Sequence, residues 1–154
     1  MHLRRHLRPG YGHIEQLEID IEPRCDDGTL RPDSVLVKWH RYLLEATSQT
    51  GKPLQYQHNT RELLSAAGFI DIREHVIRVP YHHWPVDPVQ SSIGNFYQLT
   101  LNQIKGLEAL SMAPFSRVFQ WQRSQIEGFC QMVRQEIMST QIHAYNNMYD
   151  RLTR

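Results

Sequence analysis

The chain has 154 residues, of which 40% are hydrophobic, and its 17 basic and 16 acidic side chains give a formal net charge of +1. That length allows one domain or part of one, and the balanced charge gives no reason to expect nucleic acid or an anionic membrane as a partner. The sequence has no apolar run of about 18 residues, so it predicts no membrane span. Its two cysteines, Cys25 and Cys130, form no CxxC pair, which favours a reducing, intracellular compartment.

The first elements predicted along the chain are the end of a helix, a strand and a long helix. Residues 2–8 are basic and precede a Pro-Gly pair, as the end of a helix does. Residues 11–22 alternate apolar and acidic side chains, which predicts a strand with one apolar face. That face carries Leu17, Ile19 and Ile21. Residues 34–50 have the apolar spacing of a helix, and Gly51 is expected to end it.

The rest of the chain is predicted to alternate between helices and strands. Residues 59–62 have the form of a capping box, which predicts a short helix. Residues 69–79 and 142–152 have the composition of strands. Between them, residues 91–138 predict two amphipathic helices joined by a connection at residues 112–119. This alternation indicates an α/β fold. Three strands alone leave two sheet edges, one of which would need another half-sheet or would be exposed.

Two loops form the candidate substrate-facing site. In open α/β sheets, ligands bind beyond the carboxyl ends of parallel strands. If strands 11–22 and 69–79 are parallel, the loops at residues 22–29 and 81–85 share that end of the sheet. The second loop offers imidazoles that titrate near neutrality and an aromatic wall. The substrate-facing candidates are Arg24, Asp26, Tyr81, His82, His83 and Trp84.

Four of these candidates also have a purely structural interpretation, which is the commoner one for such residues. Neighbours in an extended segment point apart, so His82 and His83 are poorly placed to share a metal ion, and no metal site is predicted. Both imidazoles suit surface or hydrogen-bonding roles. Trp84 suits a packing anchor, and Asp26-Asp27-Gly28 has the form of a turn.

The common catalytic and cofactor signatures are absent from the sequence. It contains no Walker loop, no GxSxG and no HExxH. Its one close glycine pair, Gly10-Tyr11-Gly12, precedes a predicted strand, whereas a dinucleotide fingerprint follows a strand and opens a helix. The sequence therefore leaves the catalytic residues unassigned.

Several short segments stand in a particular order along the chain. They are Leu7-Arg8-Pro9-Gly10, Glu15-Gln16-Leu17-Glu18, Asp26-Asp27-Gly28-Thr29-Leu30, Ala67-Gly68-Phe69, Trp84-Pro85-Val86-Asp87, Leu110-Ser111-Met112-Ala113-Pro114-Phe115-Ser116-Arg117 and Ile142-His143-Ala144-Tyr145. In order and spacing they resemble the C-terminal half of the fungal LaeA-like methyltransferases, which belong to the class I S-adenosylmethionine-dependent enzymes. The resemblance covers nearly the whole chain.

This resemblance implies the C-terminal half of a Rossmann-like methyltransferase sheet. Residues 11–22 and 69–79 would be strands five and six, residues 142–152 the antiparallel seventh strand between them, and residues 91–138 an inserted helical segment. It also implies S-adenosylmethionine as cofactor, a nuclear or cytoplasmic setting, velvet-type partner proteins, and control of secondary metabolism and development. The family's glycine-rich loop after strand one and acidic residue after strand two have no counterpart here. The chain alone is therefore expected to bind no cofactor tightly.

Three hypotheses for the function follow. The first is the C-terminal part of a LaeA-like methyltransferase, from a truncated or mis-split gene, inactive without the other half. The alternative is a non-enzymatic module whose helices at residues 91–138 bind velvet-type regulators. The third is a small α/β enzyme that uses His82 or His83 as a base. None of them names the methyl acceptor, and a half-sheet with an unpaired edge is expected to be marginally stable.

Overall fold

The chain folds as an α/β protein, which confirms the class predicted from the sequence. The computed structural model describes residues 7–8, 11–102 and 105–153, and within them lie three strands and five helices. In chain order these are β1 (Ile14–Arg24), α1 (Val35–Gln49), α2 (Thr60–Ala66), β2 (Arg73–Pro80), α3 (Pro88–Asn102), α4 (Gly106–Val118), α5 (Arg123–Ile137) and β3 (Tyr145–Thr153). The helix end predicted at residues 2–8 lies largely outside the described residues.

The three strands form one sheet in the order β1-β3-β2, so the last strand lies between the other two. β3 is antiparallel to β2, as two hydrogen bonds at opposite ends of the pair show. Thr153 Oγ1, at the end of β3, donates to Ile70 O ahead of β2 at 2.8 Å. Tyr81 N, just after β2, donates to Ala144 O just before β3 at 3.1 Å.

β3 is antiparallel to β1 as well. Near the start of β3, Asn146 Nδ2 donates to Glu22 O near the end of β1 at 2.9 Å. Near the end of β3, Arg151 pairs with Glu18, which precedes Glu22 on β1. β1 and β2 therefore run in the same direction, and their carboxyl ends lie at the same end of the sheet.

The described residues divide into two compact units, and each strand contributes to both. The first unit holds the described parts of residues 1–20, 56–77 and 147–154. The second unit holds residues 21–55 and the described parts of 78–146. These units differ in what fills their interiors.

The second unit is built on an apolar helical core. α1 lies where the sequence predicts it, with Ser34 as its N-cap, and packs against α4 and α5. Trp39 Nε1 on α1 donates to Ser111 Oγ on α4 at 2.8 Å, which satisfies two buried polar atoms. The fully buried side chains of this core include Leu36, Leu43, Leu107, Phe115, Ile126, Cys130 and Val133.

The helices after β2 differ from the prediction. The sequence predicts two helices with a connection at residues 112–119, but the structure has three, and most of that connection lies inside α4. Pro114 has no N–H to donate within the helix. Its neighbours Ser111 and Phe115 are both fully buried, and their packing outweighs the missing hydrogen bond.

The short helix and the strands also differ in detail from the prediction. α2 forms at the predicted place, but Asn59 makes no side-chain cap hydrogen bond, so the predicted capping box is wrong. β2 begins at Arg73, because positive φ values at Gly68 (84°) and Asp71 (51°) turn the backbone before the strand. β1 and β3 likewise begin later than predicted.

The first unit is centred on a buried charge. Arg151 on β3 is 1% exposed, and its Nε donates to Glu74 Oε2 on β2. Its Nη1 lies 3.8 Å from Glu18 Oε2 on β1. The guanidinium carbon also lies 5.1 Å and 5.5 Å from the ring centroids of Tyr56 and Tyr149. These two rings stack with their centroids 4.0 Å apart, which completes a charged and aromatic interior.

The apolar face of β1 is open in this unit. Leu17 is 60% exposed and Ile19 36% exposed, whereas Asp20, which points to the opposite face, is buried. Gln16 and Glu18, on the same face as Asp20, line a cavity of about 380 Å³ together with residues of α2. The polar face of β1 is thus more buried than its apolar face, although apolar side chains are usually the more buried ones.

Candidate functional site

A polar cluster lies at the carboxyl ends of β1 and β2, within the second unit. It is formed by the loop at residues 25–30 after β1, the segment at residues 81–84 after β2, and residues 142–145, which lead into β3. The two loops predicted to face a substrate therefore belong to one cluster. A third segment, which the sequence did not indicate, joins them.

Asp27 is held in this cluster by several donors. Its Oδ1 accepts hydrogen bonds from Cys25 Sγ (3.0 Å), Thr29 N (3.0 Å) and Thr29 Oγ1 (2.7 Å). The bond from Cys25, followed by those from Thr29, holds the pKa of Asp27 well below its usual range. The carboxylate is therefore ionised at neutral pH, with one oxygen already occupied within the loop.

The second oxygen of Asp27 binds His143. Asp27 Oδ2 lies 2.5 Å from His143 Nδ1, and the backbone N–H of His143 donates to Thr29 Oγ1 at 2.9 Å. The imidazole stacks on the indole of Trp84, with ring centroids 4.8 Å apart and planes at 24°. Trp84 is fixed in turn, because its Nε1 donates to Ala144 O at 3.2 Å. The loops after β1 and β2 are thus joined through one histidine.

Asp26 forms a second set of contacts beside the first. Its Oδ1 accepts from the buried Tyr145 hydroxyl at 2.7 Å, and its Oδ2 pairs with Arg78 Nη1 at 2.7 Å. Arg78 also lies over the ring of Tyr145, 4.8 Å from its centroid. Desolvation, followed by the hydrogen bond to Asp26, raises the pKa of the Tyr145 hydroxyl. Asp26 and Tyr145 border a cavity of about 430 Å³ that Arg24 and Cys25 also line.

Tyr81 and His82 turn into the protein interior. Both are almost fully buried, and His82 Nε2 lies 3.1 Å from Ile142 O. Burial lowers the pKa of His82, which keeps its ring neutral. A Cβ atom placed on Gly94 of α3 would lie 2.1 Å from His82 O, so only glycine allows this close packing. The geometry gives His82 a structural position and does not favour its use as a base.

The six predicted candidates therefore divide into four groups. Asp26 and Trp84 lie within the cluster, and Arg24 lies beside it on the cavity wall, paired with Glu22 at 2.9 Å. Tyr81 and His82 face the interior, while His83 is exposed.

Sequence reasoning missed His143 and the central place of Asp27. The histidine stands in the segment Ile142-His143-Ala144-Tyr145, where no local pattern distinguishes it. Its partner lies 116 residues earlier in the chain. Only the pairing of β3 with β1 brings the two side chains together.

Two features are missing from the described part of the chain. In it, no group of three or more His, Cys, Asp or Glu side chains has the arrangement of a metal site. No helix within the same residues is long and apolar enough to cross a membrane.

The fold and the cluster define the class, an α/β protein with a polar site at the carboxyl ends of two parallel strands. The chain is 53% identical over 145 residues to the secondary metabolism regulator LAE1 of Cochliobolus heterostrophus. It is 38% identical over 147 residues to the secondary metabolism regulator laeA of Aspergillus flavus, and 36% identical over 142 residues to the protein-methionine methyltransferase laeA of Chaetomium globosum. Over nearly its whole length the chain is therefore homologous to part of the LaeA-like proteins.

The matches are nearly complete for this chain and partial for its relatives. They cover 94%, 94% and 92% of the chain but 47%, 38% and 44% of the three relatives. The chain thus spans less than half the length of the curated relatives it matches. No family model and no solved structure matches the chain.

Proposed function

We propose that this chain is part of a LaeA-like methyltransferase that regulates fungal secondary metabolism in the nucleus, and that it supplies the side facing the methyl acceptor. The observation that carries the proposal is the 53% identity to the Cochliobolus heterostrophus regulator over 94% of the chain. β1, β2 and β3 then correspond to strands five, six and seven of a Rossmann-like sheet, and α3 to α5 to its helical insertion. The strand order β1-β3-β2 supports this correspondence.

S-adenosylmethionine is the methyl donor in this proposal, and the portion of the relatives that the chain does not match would hold it. By themselves, the described residues of this chain do not form a site that fits S-adenosylmethionine. Gly28, in the first turn after β1, is surrounded by open space, so the turn is no close-fitting cradle. Asp27 beside it is already bonded to Cys25, Thr29 and His143. We assign no step of methyl transfer to cofactor contacts in this chain.

The cluster around Asp27 and His143 is the acceptor-facing site in this proposal. Ligands of open α/β sheets bind at that end of the strands, and the cavity beside Asp26 opens there. Two relatives, from Chaetomium globosum and Emericella nidulans, are named protein-methionine methyltransferases. For this chain, the acceptors to compare are therefore a methionine thioether and a group that carries an N–H or O–H.

Calorimetric titration tests whether this chain needs the unmatched part of its relatives in order to bind the cofactor. S-adenosylmethionine and its demethylated product would be titrated into the chain alone, and into the chain co-expressed with the unmatched part of the Cochliobolus heterostrophus relative. We expect tight binding only in the second case, followed by transfer of a labelled methyl group. Tight, stoichiometric binding by the chain alone would contradict the proposal.

A second function, partner binding, is favoured by α3. This helix has no charged residue, yet Val89 is 66% exposed and Phe96 74% exposed, and Leu99 lies on the surface beside them. Exposed apolar stripes of this kind mark protein interaction sites. In this reading the helices after β2 bind a velvet-type regulator.

Co-purification with velvet-type proteins tests that reading. Phe96→Ser should abolish capture, whereas Gln131→Ser, an exposed change on α5, should leave it intact. A chain that stays alone with every candidate, or a Phe96→Ser variant that binds as the wild type does, would count against it.

A further inference from the structure

We propose that His143 Nε2 is a proton-accepting site that binds an N–H or O–H group of the methyl acceptor. The inference rests on the proposed function for the nature of the reaction. It rests on the geometry around His143 for the chemistry of the bound group. The acceptor class it names comprises amines, amides and hydroxyls, and leaves out thioethers.

Asp27 determines which ring nitrogen of His143 carries the proton. Nδ1 lies 2.5 Å from Asp27 Oδ2, and because an ionised carboxylate only accepts, Nδ1 must donate. In the neutral imidazole, the lone pair is then on Nε2. The carboxylate cannot turn away easily, since Cys25 and Thr29 bind its other oxygen.

The position of the imidazole ring is fixed as well as its tautomer. Trp84 stacks on one face of the ring, and Ala144 O holds the indole in place. The backbone N–H of His143 is bound by Thr29 Oγ1. An oriented base held by a carboxylate is the arrangement by which enzymes prepare a nitrogen to take a proton.

Nε2 of His143 is available to a ligand. The side chain is 36% exposed, and its hydrogen bond to another described side chain is made by Nδ1. His82 is the internal contrast, because it is buried and its Nε2 is occupied by Ile142 O. His143 is thus partly exposed, whereas His82 is buried.

The proton transfer can be written out in full. The X–H bond of the acceptor breaks, its electron pair stays on X, and the proton forms a bond with Nε2. The imidazolium that results is paired with the ionised Asp27, which stabilises the new positive charge. A thioether has no proton to give, so this site would offer it no assistance.

The tautomer of His143 can be measured in the chain alone. In a sample with ¹⁵N-labelled histidine, we expect the neutral ring of His143 to carry its hydrogen on Nδ1 and none on Nε2. Diethylpyrocarbonate should modify His143 and leave buried His82 unreacted. Asp27→Asn should abolish the tautomer preference, whereas Asp33→Asn, in an exposed pair with Arg31, should leave it unchanged. A protonated Nε2, or a His143 as unreactive as His82, would overturn the inference.

A substitution that removes Nε2 but can keep the hydrogen bond to Asp27 tests the role of His143 in the reaction. The amide of His143→Asn can still donate to Asp27, but it has no counterpart of Nε2. In the co-expressed pair, offered a mixture of peptides with lysine, serine or methionine acceptors, we expect label in lysine or serine. His143→Asn should lower that rate by about 10²-fold, and His75→Asn, an exposed change on β2, should leave it unchanged.

The outcomes separate the two proposals. A His143→Asn variant as fast as the wild type, or label confined to methionine, overturns the inference and leaves the methyltransferase standing. A co-expressed pair that never binds S-adenosylmethionine overturns the proposed function, while the tautomer of His143 still stands as measured.

Discussion

The two units stabilise the same three strands by different means. In the second unit, helices completely bury aliphatic and aromatic side chains, and this loss of exposed apolar area stabilises the fold. In the first, Arg151 sits between two carboxylates and two tyrosine rings, while Leu17 and Ile19 of β1 face outward. An apolar face in the sequence therefore indicates a surface suited to burial, but it does not indicate which part of the protein buries it.

Two leucine substitutions test this comparison with the largest expected effect. Leu43→Ala removes a fully buried side chain from the second unit and should lower the free energy of unfolding by about 2–5 kcal/mol. Leu17→Ala, in the first unit, should change it by less than about 0.5 kcal/mol. Urea denaturation of both variants gives the two values. Equal costs would show that Leu17 is covered as well as Leu43, and the comparison would be wrong.

The buried charge of the first unit should matter almost as much as a core residue. Arg151→Ala leaves Glu18 and Glu74 without their cation, and we expect a loss of about 1.5–3 kcal/mol. The control is Arg123→Ala on α5, which breaks an exposed pair with Glu127 and should change the stability far less. Denaturation curves compare the two. If both variants cost the same, the interior of the first unit does not depend on its arginine.

Glycine positions in the second unit give the next test. Gly94→Ala would place a Cβ against the backbone of His82, and overpacking of this kind costs about 1–3 kcal/mol. Gly128→Ala on α5 meets no atom within 4 Å and should stabilise the protein by about 0.5–1 kcal/mol. Thermal unfolding and the NMR signals of His82 distinguish the two. Unchanged His82 signals in Gly94→Ala would argue against direct packing of α3 on that segment.

Sequence analysis predicted what local patterns encode. The apolar stripe of α1 and its end at Gly51 follow from residues within a few positions of each other, and the structure confirms both. The break expected near Pro114 was wrong, because burial of its neighbours depends on helices far away in the chain. The pairing of Asp27 with His143 was missed for the same reason. Asp27 and His143 lie near the two ends of the second unit's sequence, and no periodicity links them.

The smallest expected effect concerns acid stability of the second unit. The folded-state pKa of Asp27 is depressed below the ordinary value of 3.8, so its contribution to stability is fully present above that pH and is lost as the pH falls below it. Cys25→Ala removes the donor with the largest influence, and we expect the carboxyl titration of Asp27, followed by NMR, to move upward toward 3.8. Asp33, whose pKa is lowered by Arg31 in a separate pair, should not move in the same spectra. An Asp27 titration that is the same in Cys25→Ala as in the wild type would show that Thr29 and His143 alone hold this carboxylate, and that the thiol only fills space beside it.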